Sequence, residues 1–549
     1  MTRTRESDGA GLLYRGGDVV TMERTRPHAA ALATRDGRIV AVGSEPECRA
    51  ALAAGGTDRF DEIDLGGRCV VPGFIDTHLH PMGLLYFDLH ADLSRVASIA
   101  EMQSVLRAAG TDHPDDPCVV GLRLQDENLA ERRLPTREEL DAVCRDRPVV
   151  VLEHDGHSAA GNGVALAAAG LDRLASDPPG GRLARGAHGM PSGAAFESAA
   201  QMLLGALPSP SLDRFRETAR TSFARLAAHG ITSAGVVLQT DEEGPGGSGA
   251  ALESLGFLML LDEVPFATRA ILIGRTVEAA IAARSTGLHD PAAGRRVGGF
   301  KIFADGTFGS CTACMRDPFC DRPGERGFLT LPEDEIYARM RAAHDAGLQV
   351  CVHAIGDAAV ERCVDLYERL LTEAPRADHR HRIEHASLAD PALIARIARL
   401  GIAVSTQPLF IHSEKTWLER RLGPERARHV YPLRAFADAG VLVGGASDAP
   451  VESTDVLHAI SCCVTREGFV PEQALSAEEA LALFTRDAAR VQLEEDEKGT
   501  LAPGKRADLT VLSANPLAVT PDEIGALRVL RTVVAGRVVH DVRDRGEAW

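Results

Sequence analysis

Val70-Val71-Pro72-Gly73-Phe74-Ile75-Asp76-Thr77-His78-Leu79-His80 is an apolar run that closes on two histidines one residue apart. On a β-strand, residues i and i+2 face the same side, so His78 and His80 offer two imidazoles to one point. Imidazole is the commonest side-chain metal ligand and suits zinc and other divalent transition ions. Two ordinary strand histidines would read the same way, so the weight comes from the rest of the chain. Apolar runs ending in polar residues recur at 231–237, 266–273, 298–306, 348–357, 381–387, 402–408 and 442–450. Helical periodicity fills most of the gaps, as over 333–346, 358–371 and 391–400. Eight such strand–helix units predict an α/β fold, a TIM-like (β/α)8 barrel. Barrels of this kind carry their chemistry at the C-terminal ends of the strands.

Four further candidates fall at those ends. Lys301 sits in Gly298-Gly299-Phe300-Lys301-Ile302-Phe303, and the lysines of the chain are only Lys301, Lys415, Lys498 and Lys505 among 60 Lys+Arg. Where arginine serves as the general cation, a lysine inside an apolar strand points to an amine that must lose its proton and react. Reaction with carbon dioxide gives a carbamate, whose two oxygens can bridge two metals. His353 and His385 each close a short strand-like run, and Asp448 follows Val441-Leu442-Val443-Gly444-Gly445-Ala446-Ser447. Alone, that aspartate reads equally as the cap of the next helix. Together the six residues His78, His80, Lys301, His353, His385 and Asp448 converge on one barrel mouth.

The remaining sequence sets the frame. The chain has 549 residues, 45% hydrophobic and 25% charged, ordinary for a water-soluble fold with a large core. Its formal net charge of −18 carries no compensating basic cluster, which argues against nucleic acid and anionic membrane surfaces as partners. The N-terminal residues lead into no apolar signal segment, and 11 cysteines lie without framework spacing, so a reducing, cytoplasmic setting is expected. About 150 residues separate His80 from Ile231, far more than an ordinary loop, which predicts an insertion at about 95–225 over the barrel mouth. Residues 10–72 and 497–541 alternate in β fashion and are expected to join as one β-sandwich, leaving 73–496 to the barrel.

The chain resembles the amidohydrolase superfamily, and within it the amidohydrolase-3, YtcJ-like branch that includes N-substituted formamide deformylases. The resemblance rests on Pro72-Gly73-Phe74-Ile75-Asp76-x-His78-x-His80, Asp155-Gly156-His157-Ser158 with Asn162, Lys301 with Ala304-Asp305-Gly306, and His353-Ala354-Ile355-Gly356-Asp357. It continues through Arg382-Ile383-Glu384-His385, Gln407-Pro408 and Ser447-Asp448-Ala449-Pro450. It implies His78 and His80 on one metal, His353 and His385 on a second, Lys301 as a carboxylated bridge, and Asp448 as ligand and proton carrier. It further implies His157 as a catalytic contact to substrate from the insertion, with Asn162 beside it, and a homodimer; by residue type alone His157 and Asn162 read equally as turn caps.

The activity expected is hydrolysis of a carbon–nitrogen bond in a small molecule, an N-acyl or N-formyl amine, by a hydroxide on one or two divalent ions, zinc first. Two alternatives stay open. A mononuclear deaminase of amino-heterocycles typically carries a glutamate three residues after the strand-5 histidine, where this chain has Gly356. A scaffold without activity would be expected to have lost ligands that this chain retains.

Overall fold

The computed structural model describes residues 11–54, 60–153, 158–178, 181–186, 189–208, 210–243 and 251–546. Eight parallel strands form the barrel: β1 Phe74–Leu79, β2 Ile231–Gln239, β3 Ala267–Ile273, β4 Arg295–Phe303, β5 Gln349–Ala354, β6 Arg382–His385, β7 Ala403–Thr406 and β8 Val443–Gly445. They pair in sequence order from β1 to β8. Strands buried on both faces read as continuous apolar runs rather than alternating ones, which is why each was visible in the sequence. Helices separate them, including Glu333–Asp345, Asp357–Glu373 and Pro391–Leu400. The last of these starts under an Asp390 cap that accepts from Leu393 N and stops at Gly401, whose φ of 66° suits glycine.

β8 is short, and side chains and loop backbone complete the seam between it and β1. Asp448 N donates to His78 O at 2.8 Å, and His80 N donates to Ala449 O at 2.8 Å. Thr77 Oγ1 donates to Gly445 O at 3.0 Å, and the buried Asp76 carboxylate accepts from Ser447 N at 3.1 Å. The seam therefore fixes His78, His80 and Asp448 relative to one another through the backbone that carries them. Below the mouth, Val237, Ile271, Ile273 and Cys351 pack with Phe303 to fill the barrel interior.

Both chain ends, expected as a β-sandwich, build one eight-stranded sheet. Cys69–Pro72 pairs antiparallel with Leu509–Leu512, in a sheet that also holds Gly11–Val20, His28–Arg35, Arg38–Gly43, Val529–Val534 and Arg537–Asp541. One core draws Leu12, Leu32 and Val70 from the first end and Leu509, Val511 and Val533 from the last. The hairpin between His28–Arg35 and Arg38–Gly43 turns at Asp36 and Gly37, with φ of 50° and 73°, the left-handed pair that suits tight two-residue hairpins.

The stretch expected as an insertion forms most of a second compact unit, Gly83–Ser222. It holds a six-stranded sheet that runs from Gly181–Arg185 through Pro191–Glu197, Ser158–Gly161, Val149–Glu153 and Val119–Leu124 to Ala91–Asp92. Its strands enclose cores of their own, one built on Met102, Leu106, Val119 and Val151, another on Val150, Leu166 and Leu203. Among the described residues, no helix is long and apolar enough to cross a membrane.

Candidate metal centre

Four functional atoms meet at the seam. His78 Nε2 lies 3.3 Å from His80 Nε2 and 3.3 Å from Asp448 Oδ1, and His80 Nε2 lies 3.2 Å from the same oxygen. Lys301 Nζ reaches His78 Nε2 at 2.8 Å. Ligand atoms about 2.0–2.1 Å from a tetrahedral ion stand about 3.3 Å apart, so His78, His80 and Asp448 already have the spacing of a shared ion. The donor set, two imidazoles and a carboxylate, is one that zinc and its neighbours accept. These residues fit a divalent metal.

The His78 ring is fixed from behind. Its Nδ1 lies 2.6 Å from Glu384 Oε2, and an ionised carboxylate can only accept, so Nδ1 carries the proton and Nε2 keeps its lone pair for a ligand role. Burial would push the Glu384 carboxyl up, but the adjacent Arg382 guanidinium and then His78 hold it well below the usual carboxylate range. Arg382 Nε donates to Glu384, and its Nη2 donates to Thr77 O at 3.1 Å, tying β6 across the barrel to β1. Burial lowers His78 to about 4, with the Lys301 charge acting in the same direction. Asp448 also stays ionised: burial opposes this, but His78, and then His80 and His385, hold it below its ordinary range. Lys301 is buried, and that burial lowers its pKa against the pull of Asp448 and Glu384.

His385 and His353 stand beside this group. Their rings are 4.5 Å apart, and the His385 ring is 5.6 Å from that of His78. His385 Nδ1 donates to Gln407 Oε1 at 2.7 Å, which leaves Nε2 as its ligand end. His353 Nε2 faces Gly306 O at 3.1 Å. Burial lowers His385 to about 3 and takes His353 well below the ordinary histidine value, so both imidazoles are neutral. Glu384 and His385 are adjacent, and an ordinary strand would send them to opposite faces. His385 and Ala386 instead take left-handed φ values of 72° and 46°, and the bend brings both side chains to the same centre. Asp448, at φ 57°, turns in the same way after β8. Such conformations are disfavoured for residues with a Cβ and cluster at functional sites.

The profile of the "Amidohydrolase family" matches residues 61–540. The chain belongs to that family. It is a metal-dependent amidohydrolase, an enzyme that acts on carbon–nitrogen bonds. It is 30% identical to the YtcJ protein of Bacillus subtilis (strain 168) over 96% of this chain and 99% of that one. It is 28% identical to the N-substituted formamide deformylase of Arthrobacter pascens over 98% of each chain. Among solved structures, an uncharacterized metal-dependent hydrolase from Pyrococcus furiosus superposes with a TM-score of 0.75 at 28% identity, covering 92% of this chain and 100% of that one.

In this amidohydrolase the six strand-end residues named from the sequence come together in one buried cluster, with His78, His80, Asp448 and Lys301 in direct contact. His157 lies outside the described residues. For Asn162, read from the sequence as either a substrate contact or a cap, the structure shows the cap. It caps helix Gly163–Ala168: its Oδ1 accepts from Ala165 N at 2.9 Å and Val149 N at 3.1 Å, and its Nδ2 donates to Cys144 O and Arg147 O at 3.0 Å each. A buried amide with every donor and acceptor engaged has nothing left for a ligand. The roles of Glu384, Arg382 and Gln407 were missed. The signal was present in Arg382 and Glu384, two charged residues at i and i+2 inside an apolar strand, where burial demands a partner.

Proposed function

We propose that this amidohydrolase cleaves the amide-type bond of an N-acyl or N-formyl amine to a carboxylic acid, formic acid in the second case, and a free amine. The observation that carries the reading is the Asp448 carboxylate, which stands 3.2–3.3 Å from both ligand nitrogens of the His78–His80 pair. A divalent ion held by His78, His80 and Asp448 would supply Lewis acidity toward a carbonyl and would lower the pKa of water to about 7. Asp448 is the acid within reach of that position. Ionised, it accepts a proton from the attacking water and returns it to the nitrogen as the C–N bond breaks. His78, locked by Glu384, and His80 keep the reacting groups in one place while this happens. His157 is assigned to the carbonyl oxygen, where a donor steadies the developing charge.

Lys301 is assigned to a carbamate. Its neutral amine would form an N–C bond to carbon dioxide and release one proton, which leaves two oxygens to span from the His78–His80 side to His353 and His385. The 28% identity to an N-substituted formamide deformylase along 98% of the chain supports the formyl or acyl substrate. The deaminase reading is less favoured: Gly356 stands where that branch carries a glutamate, and a Cβ there would overlap the Cys314 backbone carbonyl.

The test is product analysis on zinc-loaded protein offered N-formyl amines, N-acyl amines and amino-heterocycles. Formate or another carboxylate released in step with amine is expected. Ammonia from the heterocycles, with the amides left intact, overturns the reading.

A further inference from the structure

A second group of potential ligands shares no residue with the centre. His412 lies on helix Leu409–Glu414, His458 on helix Val456–Thr465, and Glu467 in the turn Arg466–Gly468. Each offers one ligand atom, and these atoms all lie within 4.8 Å of one another. His412 Nδ1 is 2.9 Å from Glu467 Oε1, and His458 Nε2 is 3.2 Å from the same oxygen. The two rings meet edge to face at 4.8 Å.

We infer that His412, His458 and Glu467 form a second metal site, for a divalent first-row transition ion of the zinc class. Two imidazoles and one carboxylate match that class, whereas calcium and magnesium take oxygen ligands. Nitrogen–oxygen distances of 2.9 and 3.2 Å approach the separation of about 3.3 Å between ligands on a tetrahedral ion.

The crowding at Glu467 supports the same reading. His412 reaches both of its oxygens, His458 and the Cys462 thiol reach Oε1, and the Lys415 ammonium pairs with Oε2. Counted by donor, these are four groups on the roughly four lone-pair sites of a carboxylate, so Glu467 is fully engaged where the two imidazoles meet. A cation shared by Oε1 and the two imidazoles would replace the two histidine contacts and leave Lys415 on Oε2. The Glu452 carboxyl, which burial raises, lies close enough to feel the charge of both histidines. The His412 side chain is 52% exposed, so an ion can reach the site from solvent.

The experiment strips the protein with chelator, reloads it with Zn2+ or Co2+, and compares three variants with the wild type by elemental analysis and cobalt absorption. His412→Gln with His458→Gln is expected to hold one ion fewer and to keep its amide hydrolysis. His78→Ala with His80→Ala is expected to lose hydrolysis yet retain the ion at Glu467. Failure of this inference is thus separate from failure of the proposed reaction. Lys415→Met removes the charge paired with Glu467 while keeping all three ligand residues, and is expected to tighten cobalt binding severalfold. Equal metal content and identical cobalt spectra in the wild type and the His412/His458 variant overturn the proposal. If that variant does not fold, cobalt affinity unchanged in Lys415→Met overturns it instead.

Discussion

His78 and His385 are held by the same device built from different chemistry. Each is buried, and each gives its Nδ1 proton to a side chain from elsewhere in the barrel, at 2.6 Å to Glu384 and 2.7 Å to Gln407. Glu384 is an anion fixed by Arg382; Gln407 is a neutral amide whose own Nε2 is buried without a hydrogen-bond partner. An anionic acceptor both orients an imidazole and raises its basicity toward a metal, whereas a neutral acceptor only orients it. The His78 side also has Asp448 and His80 in contact, while His353 faces a backbone carbonyl. On the proposed function, this difference makes one strong metal position, complete from protein side chains, and one weak position that depends on what Lys301 becomes.

Breaking the strong position should have the largest effect. Asp448→Asn keeps the shape but cannot accept a proton, and turnover should fall by about 10²-fold or more, the scale of a general acid–base group, with at least one metal retained. Steady-state rates beside elemental analysis check this; near-normal turnover in a metal-loaded variant, with chemistry limiting, removes Asp448 from the proton path. Glu384→Gln should come next, with metal affinity reduced about 10–100-fold by loss of the anionic acceptor. It also leaves the fully buried Arg382 uncompensated, a cost of about 3–5 kcal/mol that denaturant titration would read. Lys301→Ala tests the weak position: it should lower metal content and activity, and short carboxylic acids that supply the missing oxygens should restore part of both. An unmodified lysine in the fully metal-loaded enzyme would remove the bridge.

The same contrast explains what could be read from the sequence. Barrel strands were legible because burial on two faces leaves apolar runs, and strand exits were legible because polar residues end them. The run at 298–306 misplaced the start of β4, which begins at Arg295, because two arginines interrupt the apolar signal. The six cluster residues followed from the rule that barrel chemistry gathers at strand ends. The Glu384–His78 contact did not, since it crosses the barrel between residues 306 apart in sequence. Nor did the aim of His385, which depends on a left-handed backbone that no side-chain pattern announces. Asn162 could be read as cap or substrate contact, and the apolar helix start that follows it favoured the cap seen in the structure.

Acidification of the metal-free protein should act on both positions. His78 falls to about 4 and His385 to about 3 in the folded state, against an ordinary histidine value near 6.5. Below about 6.5 the unfolded chain therefore binds more protons than the folded one, and stability is lost as pH drops toward about 4 and then 3. Thermal melts of chelator-treated protein from pH 7.5 to 4 should show that decline, and saturating zinc should oppose it by competing with protons for the imidazoles. Melting temperatures that hold steady across this range would mean that the histidines are not buried as neutral rings.

The smallest effect is expected at Gln407. Gln407→Leu removes a neutral acceptor, so it leaves the His385 Nδ1 proton buried and unpaired at a cost of about 1–3 kcal/mol in stability. Because Gln407 carries no charge, its loss should change the affinity of the weak position by less than about tenfold, below the range expected for a charged acceptor. The strong position should keep its ion, and turnover should fall less than in Glu384→Gln. Cobalt titration followed by absorption, run side by side on the two variants, measures the gap. If Gln407→Leu costs as much metal affinity as Glu384→Gln, the charge of the acceptor is not what separates the two halves. The asymmetry would then have to come from Asp448 and His80 alone.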